Sequence, residues 1–131
     1  MAWSAQGDLL VSLPRRGQVV GLRDTSGTGQ ADRRWVVADG LNLPHGLAFR
    51  DPGTLYVAET GRILRFRYDP EAGKASQPEV VVPDIPSGGG HWTRTIAFGP
   101  DGNVYVSIGS SCNVCLERDP RRAAVVRYRP D

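Results

Sequence analysis

The sequence has no strong charge imbalance, no long apolar run and only two cysteines. Sixteen basic residues against 14 acidic ones give no electrostatic reason to expect nucleic acid or an anionic membrane as a partner. No apolar run approaches a bilayer span, and the N-terminal residues lack the basic and apolar regions of a secretory signal. Two cysteines also exclude a framework of several disulfides. We therefore expect neither nucleic acid nor a membrane as partner, and no targeting segment.

What the sequence does contain is a repeat. Three segments align without a gap, "AWSAQGDLLVS" at residues 2–12, "AFRDPGTLYVA" at 48–58 and "AFGPDGNVYVS" at 97–107. Each has alanine and an aromatic residue, then a turn ending in glycine, then an alternating apolar run. The turn glycines recur at spacings of 46 and 49 residues. Repeats of this length are typical of propeller blades with four strands each.

The fold class follows from the remaining strand signals. Short runs rich in Val, Ile, Leu, Tyr and Phe are separated by Gly, Pro, Asp and Asn, and helix signals are nearly absent. The segments "QVVGLRD", "RILRFRYD" and "AAVVRYRPD" predict a third strand in every unit, and "RRWVVAD" and "PEVVVPD" predict a fourth in the first two. We therefore predict an all-β chain of about three four-stranded blades, half of a six-bladed β-propeller with an incomplete last blade. The units are approximately residues 1–43, 44–90 and 91–131.

Two details of the strands are also predicted. "DPG" at residues 51–53 and "PDG" at 100–102 are expected to be tight turns in which glycine adopts a conformation that a Cβ would penalise. The aromatic residues Trp3 and Phe98 are expected in the core, at equivalent places in their units.

Strand parity predicts where the polar residues meet. In an up-and-down blade, the connection that enters the inner strand and the turn between the second and third strands lie at the same end of the sheet. His45 and His91 precede inner strands, whereas Arg15, Glu59 and residues 110–122 follow second strands. We therefore expect all of them on one rim, with the long 110–122 segment as a binding loop carried by a rigid sheet.

The pair Cys112 and Cys115 lies in that loop. Two thiolates are half of a tetrahedral zinc site, and no second Cys-x-x-C or histidine pair follows at suitable spacing, so we expect no metal here. A local disulfide that stiffens the loop is the favoured interpretation. Free thiols, or a redox-active pair without a helix N-terminus to lower a thiol pKa, are the alternatives.

Several quoted stretches resemble one family. "LPHGLAF", "LYVAETGRILRFRYD", "GGGHWTRTIAFGPDGNVYVSIGSSCNVC" and "DPRRAAVVRYRPD" are similar to the soluble glucose/sorbosone dehydrogenases that depend on pyrroloquinoline quinone (PQQ), above all the sorbosone dehydrogenase-like branch. The most specific match is the run from His91 to Gly109. The resemblance implies a six-bladed propeller that oxidises a sugar or aldehyde with hydride transfer to PQQ, with His91 as the general base. It also implies a periplasmic or secreted parent.

The resemblance suggests roles for neighbouring residues. Arg94 either pairs with a carboxylate of the cofactor or forms a surface ion pair. His45 either contacts a ligand in the central channel or caps backbone groups. Trp92 either covers a substrate ring or packs.

One position departs from the family pattern. Ser110 stands where glucose-oxidising members carry the acidic residue that orients the histidine. Either Glu117 or Asp119 in the long loop takes over that role, or the chemistry differs. The family's calcium site and its cationic contacts to the quinone come largely from later blades, so Ca²⁺ is expected at most in a full-length parent.

Three blades leave two radial faces and a strand edge uncovered, which proteins normally avoid. We expect a two-fold homodimer in which two chains complete a six-bladed ring. Because the sequence begins at an inner strand and ends inside a blade, we also expect a piece of a longer gene or an engineered fragment, incomplete as an enzyme.

Two other function classes remain open. "LPHGLAF" and "LYVAET" also suit a metal-dependent propeller hydrolase of the lactonase type, for which Glu59 is the one suitably placed acid. A structural or interaction propeller without catalysis is the other alternative. The quinoprotein dehydrogenase ranks first.

Overall fold

The computed structural model describes residues 1–130, which form three antiparallel sheets in chain order. The first sheet contains β1 (Ala2–Trp3), β2 (Leu9–Leu13), β3 (Gln18–Arg23) and β4 (Arg33–Ala38). The second contains β5 (Gly46–Asp51), β6 (Thr54–Ala58), β7 (Ile63–Asp69) and β8 (Lys74–Val82). The third contains β9 (Arg94–Phe98), β10 (Val104–Ile108) and β11 (Ala124–Tyr128). A single 3₁₀ turn, Pro14–Arg16, joins β2 to β3.

Each sheet is a meander in which strands that follow one another in sequence are paired. The predicted third strand is present in every unit, and the predicted fourth strand is present in the first two. The third sheet has three strands within residues 1–130, and Asp131, the last residue of the third predicted unit, lies outside the described residues. In the described part of the chain, no helix is long and apolar enough to cross a bilayer.

The middle sheet is buried on both faces. Along β6, Leu55 and Val57 pack toward the first sheet, whereas Tyr56 and Ala58 pack toward the third, and all four are fully buried. A strand covered on both sides needs apolar residues at every position, which explains why β6 reads as a continuous apolar run. The core therefore consists of two layers, one between each pair of neighbouring sheets.

The two predicted glycine turns differ. Gly102 has a positive φ of 76°, as expected for a position that disfavours a Cβ. Gly53 does not adopt a positive φ, so that part of the prediction is wrong. Instead, the Gly53 amide donates to the Asp51 carboxylate at 3.0 Å, and a register shift absorbs the extra residue of the hairpin. The side chain of Asp51 thus closes this turn.

The two predicted core aromatics also differ. Phe98 packs edge-to-face against Tyr56, with ring centroids 4.9 Å apart. Trp3 is 67% exposed, so its core prediction is wrong. In the register of β1 and β2, Trp3 lies opposite Leu9 and shares its face, which is turned away from the second sheet. The face that meets the second sheet carries Leu10 instead.

The fourth strand of the second sheet is longer than the sequence indicates. It begins at Lys74, ahead of Pro78, because an outer strand tolerates a residue without an amide hydrogen. The pairing of β7 with β8 shifts register across Gln77 and Pro78 and again at Val81. The extension lies far from the rim that carries the candidate site.

Candidate functional site

Connections of all three sheets meet at one rim. The Leu41 amide, on the approach to β5, donates to the Gly17 carbonyl after the 3₁₀ turn at 2.9 Å. The Ile85 amide, on the approach to β9, donates to the Gly61 carbonyl of the β6–β7 turn at 2.9 Å. These bonds confirm that approaches to inner strands and turns after second strands lie at the same end. The polar residues therefore lie on one rim, as strand parity predicts.

His91 lies on this rim beside the start of the long loop. Its Nδ1 is 2.9 Å from the carbonyl oxygen of Ser110 and 3.0 Å from the Ser110 hydroxyl. The imidazole is exposed, and Nε2 has no hydrogen-bond partner among residues 1–130. Gly109 lies under the ring, because a Cβ there would be 2.6 Å from the Cβ of His91. The absence of a side chain at Gly109 thus makes room for the histidine.

A second histidine approaches the same rim. The His45 amide donates to the Ala58 carbonyl at 2.9 Å, and its Nδ1 lies 3.3 Å from the Arg94 carbonyl. The rings of His45 and Trp92 meet edge-to-face with centroids 6.0 Å apart. His45 therefore caps backbone groups, and its contact with a ligand in the central channel stays a prediction. Trp92 is half-buried, with its ring against this histidine.

Arg94 makes a buried clamp. Its side chain is fully buried, and Nη1 donates to the carbonyls of His91 at 2.9 Å and Thr93 at 2.7 Å, while Nη2 donates to Pro86 at 2.7 Å. Burial lowers the pKa of the Arg94 guanidinium, and the positive charge of Arg122 lowers it further. The surface ion pair weighed for Arg94 is wrong, because its partners are carbonyls inside the fold. In this geometry Arg94 fixes the approach to β9, and its contact with a cofactor stays a prediction.

The long loop is held by its own contacts. Cys112 and Cys115 are joined by a disulfide. The Glu117 carboxylate accepts from the Ser111 amide at 2.6 Å and from the Ser111 hydroxyl at 2.8 Å. The loop is therefore fixed at its beginning by a covalent bond and a carboxylate.

The end of the loop is tied down by an ion pair. Arg121 donates to both oxygens of Asp119 and also to the carbonyl of Asp84 at 2.7 Å. The Arg121 guanidinium lowers the pKa of Asp119 to about 2. Neither Asp119 nor Glu117 contacts His91, so the suggestion that one of these acids orients the imidazole is wrong. Oxygens of Ser110 occupy that place.

A groove lies along the outward face of the first sheet and ends at Trp92, whose ring contacts His45. It has a volume of about 610 Å³ and is lined by the apolar Val11 and Leu13, by Arg15 and Arg16 of the 3₁₀ turn, and by Trp92. An aromatic ring, apolar side chains and two guanidinium groups suit a flat anionic aromatic molecule. Arg16 was not singled out from the sequence, although its place in the same second-strand turn as Arg15 could have indicated it.

Glu59 has a structural role. It is 1% exposed, forms an ion pair with Arg62, and accepts from the Asn42 amide at 2.7 Å. Residues 1–130 contain no group of three or more His, Cys, Asp or Glu side chains arranged to hold a metal. The acid on which a hydrolase interpretation depends is therefore already occupied by protein partners.

Fold and rim together define a partial β-propeller that carries a histidine site on one edge. A family model described as TrAA12-like matches residues 1–128, so the chain belongs to the TrAA12-like family. AA12 enzymes are PQQ-dependent oxidoreductases, which confirms the family suggested by the sequence motifs. A search of curated proteins found no match.

Solved structures agree on the fold. The calcium structure of the family AA12 enzyme from Trichoderma reesei is 23% identical with a TM-score of 0.76, covering 97% of this chain and 34% of that one. The holo PQQ domain of pyranose dehydrogenase from Coprinopsis cinerea is 20% identical with a TM-score of 0.72, covering 84% and 27%. The PQQ-bound aldose sugar dehydrogenase from Streptomyces coelicolor is 24% identical with a TM-score of 0.68, covering 98% and 44%. The chain thus spans less than half the length of these propellers.

Proposed function

We propose that this chain is part of a quinoprotein dehydrogenase that oxidises a sugar or aldehyde of the sorbosone or aldose type. In this proposal His91 is the general base that takes the proton of the substrate hydroxyl. The observation that carries it is the exposed imidazole of His91, whose Nδ1 faces Ser110 while Nε2 lies free at the rim. A neutral imidazole with one free nitrogen is suited to accept a proton near neutral pH.

The residues around His91 fit part of a PQQ site. PQQ is a planar aromatic tricarboxylate, and when bound it supplies the acceptor for the hydride. Trp92 offers an aromatic face, and Arg15 and Arg16 offer cations for carboxylates at the rim end of the groove, whereas its apolar floor belongs to the outward face of the first sheet. His45 would border the cofactor through its contact with Trp92. Ligands for Ca²⁺ in the full-length parent would have to come from further blades.

We also propose that two copies of this chain close a six-bladed ring. The outward face of the first sheet is apolar, with the half-buried Val11, Leu13 and Leu22. The outward face of the third sheet presents Ser107 and Val125, which lie opposite each other in the register of β10 and β11. A two-fold ring would place each first-sheet face against a third-sheet face of the other copy, covering both.

Light scattering at micromolar concentration tests the ring. The chain has a mass of 14.2 kDa, and a dimer should show twice that value. A monomer would eliminate the ring, and the remaining blades of a longer chain would then be the partner of these faces.

The disulfide supports a further proposal, that the parent protein works in the periplasm or outside the cell, where such bonds persist.

Cofactor titration on the same sample tests the chemistry. In the closed ring or in a full-length parent, we expect PQQ-dependent dye reduction with aldoses or sorbosone, and a loss of about 10²- to 10⁴-fold in His91→Gln. Val114→Ala is the matched control, because Val114 is 95% exposed on the neighbouring loop. PQQ binding without dye reduction would favour a non-catalytic module, and an unchanged rate in His91→Gln would remove His91 as the base.

A further inference from the structure

The protonation of the His91 ring is decided by the oxygens around Nδ1. A carbonyl oxygen only accepts hydrogen bonds, so the 2.9 Å contact with the Ser110 carbonyl requires a hydrogen on Nδ1. The Ser110 hydroxyl, 3.0 Å from Nδ1, has one hydrogen to donate. That hydrogen points to the Cys112 carbonyl at 2.7 Å, so the hydroxyl oxygen presents a lone pair to Nδ1. Both Ser110 oxygens therefore favour the same tautomer, with the hydrogen on Nδ1 and the lone pair on Nε2.

The Cys112 carbonyl in turn is held in place by the loop. Cys112 is bonded to Cys115, and the preceding residue, Ser111, donates twice to Glu117. Gly89 also packs closely against Ser111, since a Cβ at Gly89 would lie 2.5 Å from the Ser111 carbonyl oxygen. If the disulfide is opened, the Cys112 carbonyl is free to move and the Ser110 hydroxyl loses its fixed acceptor.

We propose that Ser110 is the positioning residue of His91, and that the Cys112–Cys115 disulfide maintains it. Ser110 selects the Nδ1–H tautomer and leaves Nε2 as the basic nitrogen. A carboxylate beside a histidine orients the ring in the same way. This inference rests on the proposed role of His91 as a base. It can be tested separately from that role, because the position of the hydrogen on the imidazole ring is observable without cofactor or substrate.

Nitrogen-15 NMR of the imidazoles is the test. The chain has two histidines, so His45→Gln leaves only the His91 signals and assigns both rings. At about pH 8.5, well above the ordinary imidazole pKa of about 6.5, we expect His91 as the Nδ1–H tautomer. Free imidazole side chains prefer the hydrogen on Nε2. Wild-type His91 in the Nε2–H form would overturn the proposal at once.

Two perturbations then test the parts separately. In Ser110→Ala the ratio of the Nδ1–H to the Nε2–H form should fall by several fold, since one of two acceptors is lost. In Cys112→Ser/Cys115→Ser it should fall by a similar factor, because the Ser110 hydroxyl is no longer held to the Cys112 carbonyl and does not keep a lone pair on Nδ1. A phosphine reductant, which with water turns the disulfide into two thiols and becomes the phosphine oxide, should reproduce this in the wild-type chain. The reductant also covers the case in which the double variant does not fold.

Controls separate this inference from the proposed function. Val114→Ala, between the two cysteines, should leave the His91 ratio unchanged, and His45 should keep its own signals in every sample. Unchanged His91 signals in Ser110→Ala and after reduction would refute the positioning role. Expected tautomer shifts without any quinone-dependent activity in the closed ring or a full-length parent would leave the positioning role intact and refute the dehydrogenase. Quinone-dependent activity without a tautomer shift would leave the dehydrogenase intact and refute the positioning role.

Discussion

Gly109→Ala is expected to displace His91 without unfolding the chain. The new Cβ would be 2.6 Å from the His91 Cβ and 3.4 Å from the His91 carbonyl oxygen. Because carbon atoms pack at about 3.5–4.0 Å, the histidine must withdraw by about 1 Å. The contact between Nδ1 and the Ser110 carbonyl would then lengthen from 2.9 Å to beyond about 3.5 Å, where it is no longer a hydrogen bond.

The cost to stability should be small. Gly109 does not have a positive φ, so its backbone accepts alanine. His91 is exposed, and a Cβ at the preceding Gly90 would meet nothing within 4 Å, so this part of the segment has room to shift. We expect a loss of about 1 kcal/mol in the free energy of unfolding, typical of a mild steric overlap. The change should therefore affect the site far more than the fold.

Three measurements check this expectation. Thermal unfolding should shift only slightly, the His91 imidazole should lose its Nδ1–H preference, and any quinone-dependent rate should fall by about 100-fold, as for a 1 Å misplacement of a reacting group. Gly90→Ala is the matched control, because its Cβ would meet nothing within 4 Å. If the His91 nitrogen signals in Gly109→Ala matched those of Gly90→Ala and the wild type, the close approach would have no bearing on the ring.

Three other changes test the core, the clamp and the loop. Leu55→Ala, at a fully buried site between the first two sheets, should lower the free energy of unfolding by about 2–5 kcal/mol in denaturant titrations, and a loss under 1 kcal/mol would contradict the two-layer core. Arg94→Met should cost about 3 kcal/mol, since three carbonyls lose a charged donor; an unchanged melting curve would show the clamp to be dispensable. Asp119 has a pKa of about 2 against an ordinary 3.8, so its ion pair stabilises the fold above about pH 4, and this contribution is lost as the pH falls from about 4 to about 2. In an NMR titration, Arg121→Gln should return the Asp119 midpoint toward 3.8, and an unmoved midpoint would exclude the pair.

Much of the architecture was predictable because it depends on local sequence patterns. Alternating apolar runs and turn residues predict the strands, and the repeat predicts that equivalent strands occupy equivalent places. Strand parity is a counting argument, so it placed His91 and the long loop on one rim without any knowledge of packing. The family resemblance rested on the run from His91 to Gly109 and was confirmed by the family match.

The contacts inside the rim were not predictable. Nothing local distinguishes an arginine that faces a groove from one that binds three carbonyls, since that depends on how the approach to β9 folds back over Arg94. The replacement of an orienting acid by the oxygens of Ser110 likewise depends on the loop that follows. Glu117 and Asp119 were reasonable candidates by sequence distance, and each has another partner in space.

The sequence by itself determined the strands, their order and the end of the sheet at which each connection lies, because these depend on residue alternation and on counting. Only the tertiary structure decided which side of a strand faces the core and which donor meets which acceptor. Trp3 shows the reason: alternation puts it on one of two faces, but the second sheet covers the opposite one. The burial of a residue depends on the residues that surround it in the fold. Those that are distant in sequence are known only once the sheets are packed.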